Sequence, residues 1–347
     1  MRVITTEEAR RLATVEDSFA TVEEAYRDYG RERRVLANPS AAVMIVPHEP
    51  PSLFIAKGAW SAAKGWAGAR FGMQFGNYYN IVCESREGRI LGLVEETWLT
   101  QRRVGVTAGV AAKHLAAPGV KTVALIGAGQ LNSETYLTMP HVFPEARFRI
   151  ASRSFDGAKR FADEFGRDGP APLEPVESAE AAVDGADVVV TITLADTPPI
   201  RPGMLKKGAT MLSMGGVEEV SFDCLPEFDR LIVDDIDYAM LRGDLATWVN
   251  AGRISRKDVE ARIDADIGEV VIGAKPGRTS PDETILGIIQ GMAVCDVAMA
   301  KMCIDKGADA GVGTVVESMA QSPGRKPPEA SRAGFVATGL KTSRGMK

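Results

Sequence analysis

The chain has 347 residues, 45% of them hydrophobic and 25% charged, which suits a soluble enzyme of one or two domains with a sizeable core. Forty-one Lys and Arg against 46 Asp and Glu give a net charge of −5, which argues against nucleic acid as the main partner. No apolar run is long enough to span a bilayer, the N-terminal stretch Met1 to Glu8 has no signal-peptide character, and the four cysteines (Cys83, Cys224, Cys295, Cys303) are scattered. The expectation is a cytoplasmic protein with reduced thiols and no membrane partner.

Thr6, followed by Glu7 and Glu8, reads as a helix start, and helical spacing of apolar residues runs from Ala9 to Gly30. From Leu36 to Leu93 the pattern becomes short apolar runs broken by Pro, Gly and Asn. Strands are expected at Ala42–Val46, Leu53–Ala56, Ala69–Met73, Tyr79–Cys83 and Ile90–Val94, the last two joined by a turn at Arg86-Glu87-Gly88. A small-residue helix follows from about Thr97 to Leu115 and stops at Pro118-Gly119. It carries two adjacent arginines, Arg102 and Arg103, of which at most one faces a given pocket.

Beyond that boundary the texture alternates. The β-branched run Val123–Ile126 drives into Gly127-Ala128-Gly129-Gln130-Leu131, with a helix expected from Ser133 to Met139. This is how a dinucleotide-binding unit begins: one glycine makes the tight turn, and the next lets the backbone approach a pyrophosphate at a helix N-terminus. The third fingerprint position, normally Gly or Ala, is Asn132. Strands at Phe148–Ala151, Asp187–Thr193, Thr210–Met214 and Leu231–Val233, with a helix from Asp156 to Phe165, imply a parallel doubly wound sheet. A long helix is expected from Glu283 to about Lys306, and the tail from Ser322 to Lys347 reads as an extended or disordered arm. The nucleotide unit therefore sits inside an α+β region that the C-terminal helix rejoins.

The end of the second strand decides the cofactor. An acidic residue there would bind the ribose 2′-OH of NAD, whereas Ser152-Arg153-Ser154 offers a guanidinium between two hydroxyls, which suits the 2′-phosphate of NADP. NADP is the expected cofactor and NAD the alternative; an ordinary solvent-facing Arg153 is the other reading. Thr191 and Thr193 at one strand end, and Met214 and Gly215 at the next, lie at the carboxyl edge where ligands bind in open α/β sheets.

The order of these motifs resembles the ornithine cyclodeaminase/μ-crystallin family over nearly the whole length. The matching pieces are Leu99-Thr100…Arg103…Ala111-Ala112-Lys113, Ile126 to Gly129, Ala186 to Thr191, Pro276 to Thr279 with Asp282-Glu283, and Gly291…Asp296-Val297-Ala298 with Gly311-Val312-Gly313. The resemblance implies a Rossmann-type domain (117–304) inserted into a substrate-binding and dimerisation domain (1–116 and 305–347), a homodimer, and action on a small α-amino or α-imino acid. It places the substrate-carboxylate arginine at Arg103, followed by Val104 where a Thr is usual. It places a lysine position at Arg70, and an upstream arginine position at Ser40 in Asn38-Pro39-Ser40. A guanidinium at Arg70 can hold a carboxylate but does not transfer protons.

The resemblance also implies an acid/base aspartate after the strand ending at Met214, where this chain has Glu218 and Glu219. Either could serve as acid/base, or both could be a solvated charge pair. The leading expectation is an NAD(P)-dependent oxidoreductase at a C–N bond, of ketimine-reductase or amino-acid-dehydrogenase type. Arg70 and Arg103 would anchor the carboxylate, and Glu218 or Glu219 would donate the proton. A redox-neutral cyclodeaminase with bound NAD is the runner-up, and a non-catalytic NADP-binding protein the third reading.

Overall fold

The structure, a computed structural model, describes residues 1–37, 41–47, 49, 51–74 and 76–317. Ser40 and the tail from Ser322 lie outside the described residues.

The N-terminal half builds one layer. Strand β1 (Arg2–Ile4) leads into α1 (Thr6–Leu12) and α2 (Val15–Arg31). The single helix expected from Ala9 is therefore two. Thr5 and Glu8 form a capping box at the first start, and Thr14 accepts from Asp17 N to begin the second. Each such cap contributes about 1 kcal/mol, enough to outweigh continuous helical periodicity at the junction. The strands β2 (Ala42–Val46), β3 (Ser52–Ser61), β4 (Trp66–Met73), β5 (Tyr78–Glu84) and β6 (Ile90–Glu95) follow as an antiparallel meander. Helix α3 (Thr97–Leu115) then crosses to the second half.

That half is a parallel sheet wrapped by helices. Its strands are β7 (Thr122–Ile126), β8 (Arg147–Ala151), β9 (Leu173–Pro175), β10 (Val188–Thr191), β11 (Thr210–Ser213), β12 (Arg230–Val233), β13 (Ala265–Asp266) and β14 (Ile285–Ile288). Between them run α4 (Gln130–Thr138), α5 (Phe155–Phe161), α6 (Ala179–Val183), α7 (Ile236–Ala239), α8 (Gly243–Asn250), α9 (Arg256–Arg262) and α10 (Ile267–Val271). The chain closes with α11 (Ala293–Asp309) and β15 (Thr314–Val315). The eight strands lie in the order β13-β12-β14-β11-β10-β7-β8-β9, every pair parallel, so the order reverses between β7 and β10. That reversal opens the crevice in which doubly wound sheets bind ligands. The chain is an α/β protein, as its sequence implies.

Strand β14 corrects the sequence reading, which placed Ile285–Ile288 inside a helix from Glu283. All four residues are buried on a sheet with both faces covered, so they show no alternation. A short, fully buried apolar run looks the same in a helix and in a central strand. The helix begins only at Ala293, after a turn at Gly291 with φ +91°. It packs on β1 and β3 to β6 of the first sheet and on α2 and α3. The expected domain boundary at 304 thus falls inside α11, and by its contacts the whole helix belongs with the first layer.

Candidate active site

The dinucleotide turn takes the geometry its glycines permit. Gly127 has φ +107°, a region costly for any residue with a Cβ, and a Cβ there would collide with the Ile192 carbonyl oxygen at the end of β10. Gly129 is the N-cap of the nine-residue α4, makes no side-chain cap, and faces open space where its Cβ would be. Uncapped backbone N–H groups at a helix start, with room in front of them, fit a pyrophosphate. Ala128 and Leu131 are half-buried, and the exposed Gln130 accepts a hydrogen bond from Gln101 of α3 at 2.8 Å. Asn132 is fully buried, and its side-chain amide donates to the carbonyls of Ile126 (3.0 Å) and Gly127 (2.7 Å). The residue that departs from the fingerprint therefore ties the turn down from inside.

At the end of β8, Ser154 caps α5 by accepting from Gly157 N at 3.2 Å, and Ser152 donates to the Ser154 carbonyl at 2.7 Å. Arg153 is exposed between them.

Along the carboxyl edge, β10 and β11 present the next group. Thr191 is buried, with its hydroxyl 3.5 Å from the Leu212 carbonyl, and Met214 N donates to Thr191 O at 3.0 Å. Glu219 is fully buried and accepts from Thr193 twice, from N at 2.7 Å and from the hydroxyl at 2.9 Å. Its carboxyl packs against Gly215, where a Cβ would overlap it. Burial pushes the Glu219 carboxyl up to about 7, against the two hydrogen bonds from Thr193. Glu218 points elsewhere: it accepts from Trp248 Nε1 at 2.9 Å and pairs with Arg253 at 2.7 Å. The two adjacent glutamates are separated in role by the backbone, which sends one to the sheet edge and the other to α8.

The first layer brings its charges to the same edge. Arg70 on β4 is buried, pairs with Glu96 at 2.6 Å and lies 3.8 Å from the centroid of the Tyr78 ring. Arg103 on α3 is buried and faces Asp296 of α11 at 2.6 Å; its guanidinium occupies the space a Cβ at Gly291 would need. Its neighbour Arg102 turns to Glu134 of α4 at 3.1 Å, where Trp98 also donates at 2.8 Å. Only the second arginine of the pair reaches the site.

Four participants had no role assigned from the sequence. Glu96 and Asp296 are the counter-ions of the two arginines, and only tertiary structure could pair them. Lys57 is buried on β3, directly across the strand pair from Arg70, and lies 3.5 Å from the centroid of Tyr238. Burial would raise the Tyr238 phenol, but Lys57 and Arg242 overturn that and bring it down to about 8. The signal for Lys57 was present: Ile55, Lys57, Ala59 and Ser61 share one strand face, and all are buried. Lys57, Asp235, Tyr238, Gly291 and Met292 border a small recess of about 10 Å³, close to the space one water needs.

These groups form one line along the edge of the parallel sheet, from Gly127 beside Thr193 to Gly291 beside Arg103. The profile of the ornithine cyclodeaminase/mu-crystallin family matches residues 59–311, and the chain belongs to that family. It is 27% identical over 334 residues to a Delta(1)-pyrroline-2-carboxylate reductase of Bacillus cereus, spanning 91% of this chain and all of that protein. An archaeal alanine dehydrogenase dimer with bound NAD superimposes with a TM-score of 0.78 at 26% identity, covering 92% of this chain and 99% of that one. The Thermococcus litoralis Delta(1)-pyrroline-2-carboxylate reductase, solved with NADH and L-proline, gives 0.80 at 23% identity, covering 91% and 100%.

Proposed function

We propose that this protein is an NAD(P)-dependent oxidoreductase acting on the C–N bond of a small α-amino or α-imino acid. One observation carries the reading. Three buried cations (Lys57, Arg70 and Arg103) gather against two buried carboxylates (Glu96 and Asp296) beside the carboxyl edge of a dinucleotide-type sheet. Nearby Asp234, also buried, accepts from the backbone N of Gly291 at 2.5 Å, and burial pushes its carboxyl up to about 6. Buried cations beside this edge suit an anionic ligand, and a substrate carboxylate is one. Arg70 and Arg103 are assigned to that anchor. The reductase and dehydrogenase names of the relatives support the C–N bond as the reacting one.

The cofactor would lie over Gly127–Leu131, with its nicotinamide end toward Thr193, Met214 and Gly215. When bound, it supplies hydride to the imine carbon. The exposed Arg153 and the lack of a carboxylate in Ser152-Arg153-Ser154 favour NADP over NAD. Glu219, held against Gly215, is the carboxyl at this end, whereas Glu218 is engaged by Trp248 and Arg253. The four free cysteines suit a reducing cytoplasm. A homodimer fits the edge strand β2, which exposes Val43 (51%), Met44 (59%) and Ile45 (72%) in succession; light scattering giving a monomer mass would remove it.

The decisive experiment follows NADPH and NADH oxidation with a panel of cyclic ketimine carboxylates and of 2-keto acids mixed with amines. Stoichiometric oxidation coupled to amino-acid formation is expected. Ammonia release from a diamino acid without net cofactor change would replace this reading with a cyclodeaminase. Cofactor binding with no turnover anywhere would leave a binding protein.

A further inference from the structure

Lys57 is the one buried lysine among the described residues, at 4% exposure. Buried lysines ordinarily pair with a carboxylate or run their ammonium out to water. Among the described residues Lys57 does neither. Its Nζ donates to the carbonyl oxygen of Gly291 at 3.4 Å and sits over the ring of Tyr238. An aromatic face returns about 2 kcal/mol or more to a desolvated ammonium, against the several kcal/mol that burying an ion costs. The remaining cations of the cluster, Arg70 directly opposite on β4 and Arg103 on α3, add to that cost. A side chain held at such expense, pointing from the substrate layer to the loop after β14, calls for a role that a neutral residue could not fill.

The register places Lys57 beside Arg70. Lys57 and Arg70 are cross-strand partners on one face, so a carboxylate held by Arg70 lies near the Lys57 side chain. Neither guanidinium gives up a proton at neutral pH, whereas an ammonium can. We propose that Lys57 is the proton donor to the substrate nitrogen in imine reduction, a role that rests on the function proposed above. In that step the imine carbon gains hydride from the reduced nicotinamide, and the C=N π pair moves onto nitrogen. The nitrogen forms its new N–H bond with the proton leaving Lys57 Nζ. Lys57 becomes a neutral amine and regains a proton from water; amine oxidation runs the same transfers backwards.

The charges facing Lys57 set its proton affinity. They come from Arg70 on β4, Arg103 on α3, Tyr238 on α7 and Asp296 on α11. Burial, the largest influence, lowers the Lys57 pKa, and the two arginines act in the same sense against Tyr238 and Asp296.

The test uses the full-length protein with Lys57→Met, which keeps the volume, and Lys57→Arg, which keeps the charge but not the transferable proton. With a cyclic ketimine carboxylate, both variants should lose roughly 10²- to 10³-fold in kcat, with KM and NADPH affinity changed by less than about fivefold. A second readout needs no turnover: the ultraviolet titration of phenolate in the cofactor-free protein. In the wild type the Tyr238 phenol should ionise near 8, a step absent in Tyr238→Phe and moved upward in Lys57→Met. Either variant keeping kcat within about threefold of wild type, or a Tyr238 titration unmoved by Lys57→Met, would overturn the assignment. Should Lys57→Met not fold, Lys57→Arg decides by kcat, with circular dichroism and NADPH binding as the folding control. A wild type that turns over no imino acid removes the proposed function itself, and the role of Lys57 with it; active wild type with active variants removes only the latter.

Discussion

Arg103 and Asp296 meet at 2.6 Å, although one stands on α3, before the parallel sheet, and the other on α11, after it. Both are buried, and their ion pair joins the two segments of chain that flank the nucleotide unit. Losing one partner leaves the other charged and unpaired in the interior, a loss of about 3–5 kcal/mol. Arg103→Ala should therefore lower the thermal midpoint and raise KM for the imino acid by roughly tenfold or more, while NADPH affinity stays near wild type. Steady-state kinetics with an unchanged KM would take Arg103 out of the substrate site.

Asn132 offers a separate test of the turn. Its two hydrogen bonds to the Ile126 and Gly127 carbonyls are buried, so Asn132→Ala should destabilise the protein by about 1–3 kcal/mol and weaken NADPH binding several-fold. Chemical denaturation and fluorescence titration measure the two effects. If stability falls while binding is untouched, the amide serves the core and not the turn.

Glu219 predicts a pH dependence. Burial raises its carboxyl in the folded protein from the ordinary 4.5 to about 7, so the folded state holds a proton that the unfolded chain has released. That contribution to stability is fully present below about pH 4.5 and is lost as pH rises through about 7. Glu219→Gln should become more favourable relative to wild type between pH 5 and pH 8, by on the order of 2–3 kcal/mol. Parallel denaturation curves at the two pH values, with a constant difference between the proteins, would refute this.

Arg153 is assigned to the choice of cofactor. Arg153→Glu should weaken NADPH by roughly tenfold or more and leave NADH little changed, since a carboxylate repels a 2′-phosphate and accepts from a 2′-hydroxyl. Paired titrations of the two nucleotides decide it. A wild type that prefers NADH would refute the assignment.

The local chemistry of the dinucleotide turn was legible because each requirement is carried by a residue type: β-branched run, glycine turn, helix. Arg103 was legible only by likeness, and its counter-ion Asp296 lies nearly two hundred positions away. Lys57 escaped for a narrower reason. The continuous apolar run stops at Ala56, whereas alternation through Ala59 and Ser61 carries the strand five residues further. Strand β14 escaped because full burial removes periodicity altogether. Glu218 and Glu219 look alike in sequence, and only the path of the backbone after β11 sends them to different neighbours.

The position of β14 has a bearing on how the molecule is made. It lies between β11 and β12, yet it is synthesised after both, so the parallel sheet has an open slot until residue 288 has been added. A few residues further on begins the helix that covers the first sheet, which until then lacks its lid. Neither half can close alone during synthesis, and both are finished by the same short stretch of chain. Folding should therefore await the last sixty residues, and shortened chains ending before Thr284 should be substrates for chaperones and proteases instead of forming a stable first domain.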